Sequence, residues 1–238
     1  DEAYAISTAE DSSLSPEEAT HIEVTEEQSL RIIKYQKSDL PIEKKYDELE
    51  YENVMSTSRQ ISGMGFEHLN TEILCQLHHD LSIGLDEYAK PLKITKYHSG
   101  SLRQNNTVKV GKFPPYIPPE HQKIKKLLNT LFTYYQQKKE IHLIDIIEFG
   151  VLLYAIHPFQ NGNKRVVRIL ESALLNFYGY SANKTISLGR AYALDKNGFN
   201  FFLLDALKKR NTTSFVNFVI RCYINDGKRT MTEVVLDE

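Results

Sequence analysis

The stretch "YAIHPFQNGNKRVVRILESALLNF", residues 154–177, decides how this chain is interpreted. An apolar helical pattern ends at His157-Pro158, a short polar turn follows, and an amphipathic pattern resumes with three cations near its start. Pro158 cannot continue the preceding helix, and Gly162 permits a positive φ in the turn. The first N–H groups of the second helix have no partner within that helix and carry the positive end of its dipole. The stretch therefore predicts an anion-binding turn between two helices.

Side chains of matching chemistry lie in the same turn. A neutral imidazole at His157 can take the proton from an attacking hydroxyl. Arg165 and Arg168 are three residues apart, which predicts that both reach one anion from a single helix face. Together with Asn163, they can stabilise charge on phosphoryl oxygens. Each residue alone is also typical of a helix cap, a common turn or a solvated cation, but their combination favours phosphoryl or nucleotidyl transfer.

The fold predicted from the pattern is mainly α-helical. One helix, residues 143–156, is apolar at nearly every position, which predicts a central element buried on most sides. The segment "TVKVGKF" (107–113) alternates like a strand, and "PPYIPP" (114–119) excludes helix, so a short hairpin or extended flap is expected near 105–113. Further helical patterns cover 26–37, 43–56, 69–89, 120–138, 165–178, 198–209 and 212–225.

Composition limits the function classes. Of the 238 residues, 41% are apolar, which suffices for a core, and no uncharged apolar run reaches the length of a transmembrane helix. Residues 1–50 carry 14 acidic against 5 basic residues, whereas residues 51–238 carry 17 against 24. A mildly basic body suits anionic ligands, and the acidic extension is expected to be solvated or regulatory. Charge alone does not separate a nucleotide from a nucleic acid.

The twelve residues "HPFQNGNKRVVR" (157–168) resemble the signature of the Fic family, His-Pro-Phe-x-Asp/Glu-Gly-Asn-Gly/Lys-Arg-x-x-Arg. The likeness extends over roughly residues 69–220 and includes "SGSLR" (99–103), "TVKVGKFPPYIPP" (107–119) and "EFGVLLYAIHPF" (148–159). It implies a Fic-type helical bundle with a short β-hairpin flap. The expected organisation is an acidic, partly disordered or helical extension over 1–55, a Fic domain over 56–225 and a C-terminal tail over 226–238.

The resemblance implies a protein adenylyltransferase, which moves AMP from ATP to a Ser, Thr or Tyr hydroxyl of a target protein. His157 would be the general base. Gly162 and Asn163 would line the anion hole, and Arg168 would hold the terminal phosphate. The implied nucleotide-binding residues are Gly162, Asn163, Lys164, Arg165 and Arg168.

The flap implied by the resemblance would add an edge strand to an extended target segment and so position its hydroxyl. The residues of this flap are Val108, Lys109, Val110, Gly111 and Lys112. No nucleic-acid partner is expected, because the Tyr-rich segments fit packing better than base stacking. No membrane partner is expected either. The start of the chain does not resemble a signal peptide, so we expect a cytoplasmic protein or one delivered into a host cytosol.

Three departures from the family pattern leave alternatives open. Asn161 stands where Asp or Glu usually helps to hold Mg²⁺, so the expected metal would be bound more weakly. Lys164 replaces the commoner Gly, and the resulting Asn-Lys-Arg order is similar to that in the branch of the family that transfers phosphate. The stretch nearest to the self-inhibitory Ser/Thr-x-x-x-Glu-Gly/Asn motif is either a degenerate form of it or simply a Ser-rich helix end, since Ser62 stands at the Glu position and cannot pair with Arg168. The motif positions are Ser58, Ser62 and Gly63.

Two other functions therefore remain possible beside AMP transfer. One is a Fic-type transferase with another donor or transferred group, such as phosphate or UMP. The other is a catalytically weak module that binds a nucleotide or a partner. Without the inhibitory Glu, restraint would come from a separate inhibitor protein, a homodimer or the acidic extension.

Overall fold

The structure is a computed structural model that describes residues 2–7, 14–112, 114–181 and 187–236. These residues form twelve α-helices and three short 3₁₀ turns, which confirms the mainly helical fold. The helices are α1 Glu2–Ser7, α2 Pro16–Thr20, α3 Gln28–Lys37, α4 Ile42–Gln60, α5 Thr71–Ser82, α6 Ala89–Leu92, α7 Ile124–Gln136, α8 Leu143–Ile156, α9 Asn163–Phe177, α10 Leu188–Leu194, α11 Lys196–Lys209 and α12 Thr213–Leu236. The 3₁₀ turns are Phe66–His68, Leu85–Glu87 and His121–Lys123.

Helix α8 is the central element, with the bounds that its apolar pattern predicts. It packs against α7, α9, α11 and α12. Ile146, Ile147 and Phe149 are fully buried, because a helix that is apolar at nearly every position gains free energy by contacting neighbours on most sides. Among the described residues, α8 and every other helix fall short of the combined length and hydropathy that a bilayer crossing needs.

The N-terminal helices pack onto the main core. Ile6 of α1, Ala19 of α2 and Leu14, which precedes α2, are at most 4% exposed and belong to the main apolar cluster. The predicted domain limits of 55/56 and 225/226 fall inside α4 and α12 respectively. Those limits stay predictions, as does disorder in the extension, part of which (residues 1 and 8–13) lies outside the described residues.

The helix predicted over 69–89 is interrupted. Helix α5 begins at Thr71, where the Asn70 side chain accepts a hydrogen bond from the Ile73 N–H, and it ends at Ser82. Gly84 has φ 79°, a left-handed conformation that stops a helix. The 3₁₀ turn and α6 then follow in new directions, so a continuous helix is wrong here.

The predicted β-hairpin is also wrong in detail. Among the described residues, the flap has no strand; Val110 and Tyr116 instead form one isolated antiparallel pair with hydrogen bonds of 3.0 and 2.8 Å. Gly111 turns the chain with φ 78°. Pro118 and Pro119 have no N–H to donate, so a ladder cannot extend outward from the pair to residue 108. The flap is an extended loop closed at one point.

Candidate active site

A cleft of about 530 Å³ brings the predicted flap and the predicted turn together. One wall is the flap segment 107–111, and the other is formed by the turn from His157 to Lys164. Thr95 and Tyr154 complete the lining. Residues about 50 positions apart in the sequence thus line one cleft. In the sequence, only the family resemblance connected these two segments. Lys112 is exposed but does not line the cleft.

His157 is held rigidly at the end of α8. Its backbone takes a left-handed conformation, φ 51°, and its N–H donates to the Leu153 carbonyl at 3.2 Å. The ring is 7% exposed and meets Tyr154 edge to face, with centroids 5.1 Å apart. Its Nδ1 lies 3.3 Å from the Tyr154 carbonyl oxygen. We assign the proton to Nδ1, which donates to that carbonyl, so Nε2 is the basic atom.

The turn after His157 is closed by its own amide side chains. Asn163 Oδ1 accepts from the Phe159 N–H at 3.0 Å, and its Nδ2 donates to the Phe159 carbonyl at 2.9 Å. Phe159 itself is fully buried. Gly162 has φ 77° and directly precedes α9. The side chain of Asn163 thus fixes the turn, and its backbone N–H lies at the start of α9, where an anion would bind.

Asn161 joins the turn to a neighbouring segment. Its Nδ2 donates to the Thr95 carbonyl at 2.8 Å, and its Oδ1 accepts from the Gly162 N–H at 2.7 Å. Both ends of the amide therefore have hydrogen-bond partners. An amide can satisfy this pair of contacts, whereas a carboxylate has no donor for the Thr95 carbonyl.

His78 of α5 supports the turn through contacts of its imidazole ring, a role that sequence reasoning missed. Its Nδ1 accepts from the Gly100 N–H at 3.0 Å, and its Nε2 donates to the Asn161 carbonyl at 3.1 Å. The ring stacks on Phe159 with centroids 3.8 Å apart. Burial lowers the pKa of His78 to about 4, although the bond to Asn161 raises it. The imidazole is therefore neutral at pH 7, as its acceptor role at Nδ1 requires.

Arg103 also fixes this turn, through hydrogen bonds to backbone carbonyls. Its Nε donates to the His157 carbonyl at 2.7 Å, and its backbone N–H donates to the Pro158 carbonyl at 2.8 Å. Further guanidinium bonds reach the carbonyls of Asn105 and Pro119. Arg103 thereby binds carbonyls at the C-terminus of α8, where a cation is favoured. Arg103 is the last residue of the "SGSLR" segment (99–103) that resembles the family pattern.

Arg165 points away from the cleft into a buried polar cluster. Its Nη2 lies 2.6 Å from Glu50 Oε1 of α4, and both side chains are at most 4% exposed. Its Nη1 donates to the Tyr97 hydroxyl at 2.7 Å, and that hydroxyl lies 2.5 Å from the hydroxyl of Tyr46. Glu50 was not predicted, because the acidic pattern of α4 is typical of a solvated helix.

Arg168 is buried among different partners. Its guanidinium carbon lies 5.0 Å from the Tyr192 ring centroid and 4.9 Å from that of Phe199. Burial raises the pKa of nearby Glu171 to about 8, while Arg168 and the Tyr192 hydroxyl lower it. Neither Arg165 nor Arg168 lines the cleft, and the expectation that both reach one anion stays a prediction.

The comparisons with known proteins agree with this geometry. Residues 68–175 match the model of the Fic/DOC family. These residues are therefore similar to the Fic/DOC family. A crystal structure of a Fic family protein from Desulfovibrio desulfuricans G20 at 2.70 Å resolution resembles it with a TM-score of 0.71 and 18% sequence identity. The match covers 99% of this chain and 63% of that one, so this chain spans under two thirds of that relative's length.

At such low identity, the structural likeness supports the fold of the Fic domain alone. No curated protein sequence matches the chain. Activity, substrates and partners are therefore argued from the site itself.

The segment 58–63 contacts α9 far from Arg168. Ser62 follows the end of α4, and its carbonyl accepts from Asn176 Nδ2 at 2.8 Å. Asn176 is eight residues beyond Arg168, about 12 Å along α9. Ser58 lies in the last turn of α4, and Gly63 is exposed. The regulatory meaning of these positions stays a prediction; Glu50 is the α4 carboxylate that contacts the signature.

A resident Mg²⁺ does not fit the side chains of this cleft. Mg²⁺ in nucleotide sites is usually held by one or two carboxylates together with phosphate oxygens. The residues that line the cleft include no Asp or Glu, and the described part of the chain contains no cluster of three potential metal ligands. Asn161, the predicted ligand, already uses Oδ1 to accept the Gly162 N–H.

Proposed function

We propose that this protein is an adenylyltransferase that transfers AMP from ATP to a Ser, Thr or Tyr hydroxyl of a target protein. One observation carries the proposal: His157 lines the same cleft as the flap segment 107–111 and the first turn of α9. A proton acceptor, an anion seat and a peptide-docking edge are the three parts that such a transfer needs. The match to the Fic/DOC family supports a transferase of this general type.

The reaction follows from the arrangement of the cleft. Nε2 of His157 takes the proton of the target hydroxyl, and the resulting oxygen attacks the α-phosphorus of ATP. The new P–O bond forms as the bond to the bridging oxygen breaks, and pyrophosphate leaves. The N–H groups at the start of α9, including that of Asn163, stabilise the negative charge on the phosphoryl oxygens.

The flap supplies the docking edge for the target segment. Residues 107–109 precede the single pair between Val110 and Tyr116, and no further ladder is formed there in the described residues, although the Thr107 N–H donates to Asn105 Oδ1 at 3.1 Å. An extended peptide can bind to such an edge through backbone hydrogen bonds. Val110 is buried and anchors the flap, whereas Lys109 is exposed and lines the cleft.

A second candidate is a weakly catalytic module that binds a nucleotide or a partner. The observation that favours it is the burial of Arg165 and Arg168 against other side chains, outside the cleft. If these arginines keep their contacts, the phosphates of a nucleotide lack two expected donors. The cleft then binds more weakly, and chemistry is slow.

Intact mass spectrometry after incubation with ATP tests the proposal, with ADP and UTP as alternative donors. Fic enzymes commonly modify themselves, so we expect addition of AMP to the protein, and His157→Ala should abolish it. Addition of phosphate instead would favour the kinase alternative. The binding module would be favoured if no modification is found, with or without a set of candidate extended peptides in the reaction, while calorimetry still detects ATP binding.

A further inference from the structure

The side chain at position 161 is committed to the protein's own backbone. The Asn161 side chain donates to the Thr95 carbonyl and accepts from the Gly162 N–H, while its backbone carbonyl accepts from His78 Nε2. Three groups of one residue thus have protein partners. To bind a metal ion, the Asn161 side chain would therefore have to break hydrogen bonds that hold the whole turn.

A cation lies close by in the position where the Fic pattern commonly has glycine. Lys164 is the second residue of α9, is half-buried, and lines the cleft together with His157 and Asn161. The neighbouring cations of the signature, Arg165 and Arg168, are buried outside the cleft. Among the described residues that line it, the positively charged side chains are Lys164 and, on the flap, Lys109.

The two observations complement each other. The phosphate chain of a nucleoside triphosphate needs neutralising charge, which either a divalent cation or an ammonium group can supply. This cleft has no carboxylate to hold a metal ion and has an ammonium group at the start of the anion-binding helix.

We propose that Lys164 neutralises the phosphates of the bound nucleoside triphosphate in place of a protein-held Mg²⁺, so that ATP binds without a divalent cation. The inference rests on the proposed function, whose nucleotide site it specifies further. Asn161 is accordingly a positioning residue that holds the turn, and its amide is suited to the Thr95 carbonyl rather than to a metal ion.

Calorimetric titration with ATP, in excess EDTA and in excess MgCl₂, tests the inference independently of any transfer. We expect the dissociation constant of the unmodified protein to differ by less than about threefold between the two buffers. Lys164→Met should weaken binding in EDTA by about tenfold or more, the usual effect of losing one charge-assisted contact. Lys164→Arg, which keeps the charge, should restore most of the affinity.

Asn161→Asp provides the converse test. It replaces the donor to the Thr95 carbonyl with a carboxylate oxygen, so ATP binding in EDTA should weaken, and ATP should now bind about tenfold better with MgCl₂ than with EDTA. Lys96→Met is the matched control, because Lys96 is exposed beside Thr95 but does not line the cleft; its affinities should equal those of the unmodified protein. Circular dichroism establishes that each variant is folded.

Two results would overturn the inference while leaving the proposed function intact: ATP binding by the unmodified protein only when MgCl₂ is present, or undiminished binding in EDTA by Lys164→Met. Absence of ATP binding in both buffers would overturn the inference and the proposed nucleotide site together.

Discussion

The two sides of the first turns of α9 are built differently. On the cleft side, the turn 157–163 is held by hydrogen bonds to backbone groups, and Lys164 faces the cleft. On the other side, Arg165 is held by the carboxylate of Glu50 in α4, away from water. Consecutive helical residues point about 100° apart, so one contiguous motif is divided between solvent and core.

This difference separates two physical tasks within the signature. The cleft side places the groups that meet a ligand, and its many backbone contacts fix their geometry. The buried side attaches α9 to the N-terminal helices, and its stability depends on a few charged side chains whose separation is costly. Changes on the buried side should therefore act mainly on stability, and changes on the cleft side mainly on ligand binding.

The largest effect is expected from Glu50→Ala. Removing the carboxylate leaves Arg165 with its charge buried, and breaking such a pair typically costs about 3–5 kcal/mol of unfolding free energy. Urea denaturation measures the loss. Glu120→Ala is the control, because its ion pair with Lys123 is exposed and should contribute nothing measurable. Equal behaviour of the two variants would contradict the assignment of Arg165 to the core.

A somewhat smaller effect should follow from pH. The pKa of His78 is about 4 in the folded protein, against an ordinary value of 6.5, so the folded state disfavours the proton. Stability from this residue is complete above about pH 6.5 and decreases as the pH falls towards 4, by roughly 3 kcal/mol. His78→Phe keeps the ring stack but should lose this part of the pH dependence of urea unfolding.

His79→Ala is the matched control for that experiment, since His79 is the adjacent, half-buried histidine of α5. It should keep the pH dependence of the unmodified protein, because the contacts with the turn belong to His78. An identical pH dependence in His78→Phe and the unmodified protein would show that His78 is not the responsible group.

The smallest effect compares two glycines with the same φ of 77°. A methyl group at Gly162 would lie 3.2 Å from the Tyr97 ring and 3.4 Å from His78 Nε2, whereas at Gly179 it would meet nothing within 4 Å. Gly179→Ala should cost about 1 kcal/mol for the left-handed backbone alone. Gly162→Ala should cost about 2 kcal/mol and also weaken ATP binding. Equal losses in thermal unfolding would mean that the close approach relaxes easily.

Much of the site could be predicted from local pattern. The bounds of α8, the stop at Pro158, the positive φ of Gly162 and the burial of Phe159 all follow from short-range constraints, and the structure has them. The flap was placed at the right segment but given too much regular structure. The break at Gly84 was missed, because a lone glycine within a periodic segment does not by itself end a helix.

The supporting residues could not be found in the same way. His78 carried one usable signal: it shares the apolar face of α5 with Leu74, Leu77 and Leu81. Glu50 carried none, because a buried acid and a solvated acid look alike in a polar helix. Its role depends on a partner 115 residues away in the sequence, at Arg165.

The sequence by itself determined the helical class, the turn between α8 and α9 and the position of His157 at the end of α8, because these depend on residues within a few positions of one another. Only the tertiary structure decided which signature cations face the cleft and which are buried. That choice depends on how α9 is rotated against α4, α5 and α8, and packing between distant segments fixes the rotation. The same packing ties Asn161 to neighbouring backbone groups and leaves Lys164 in the lining of the cleft.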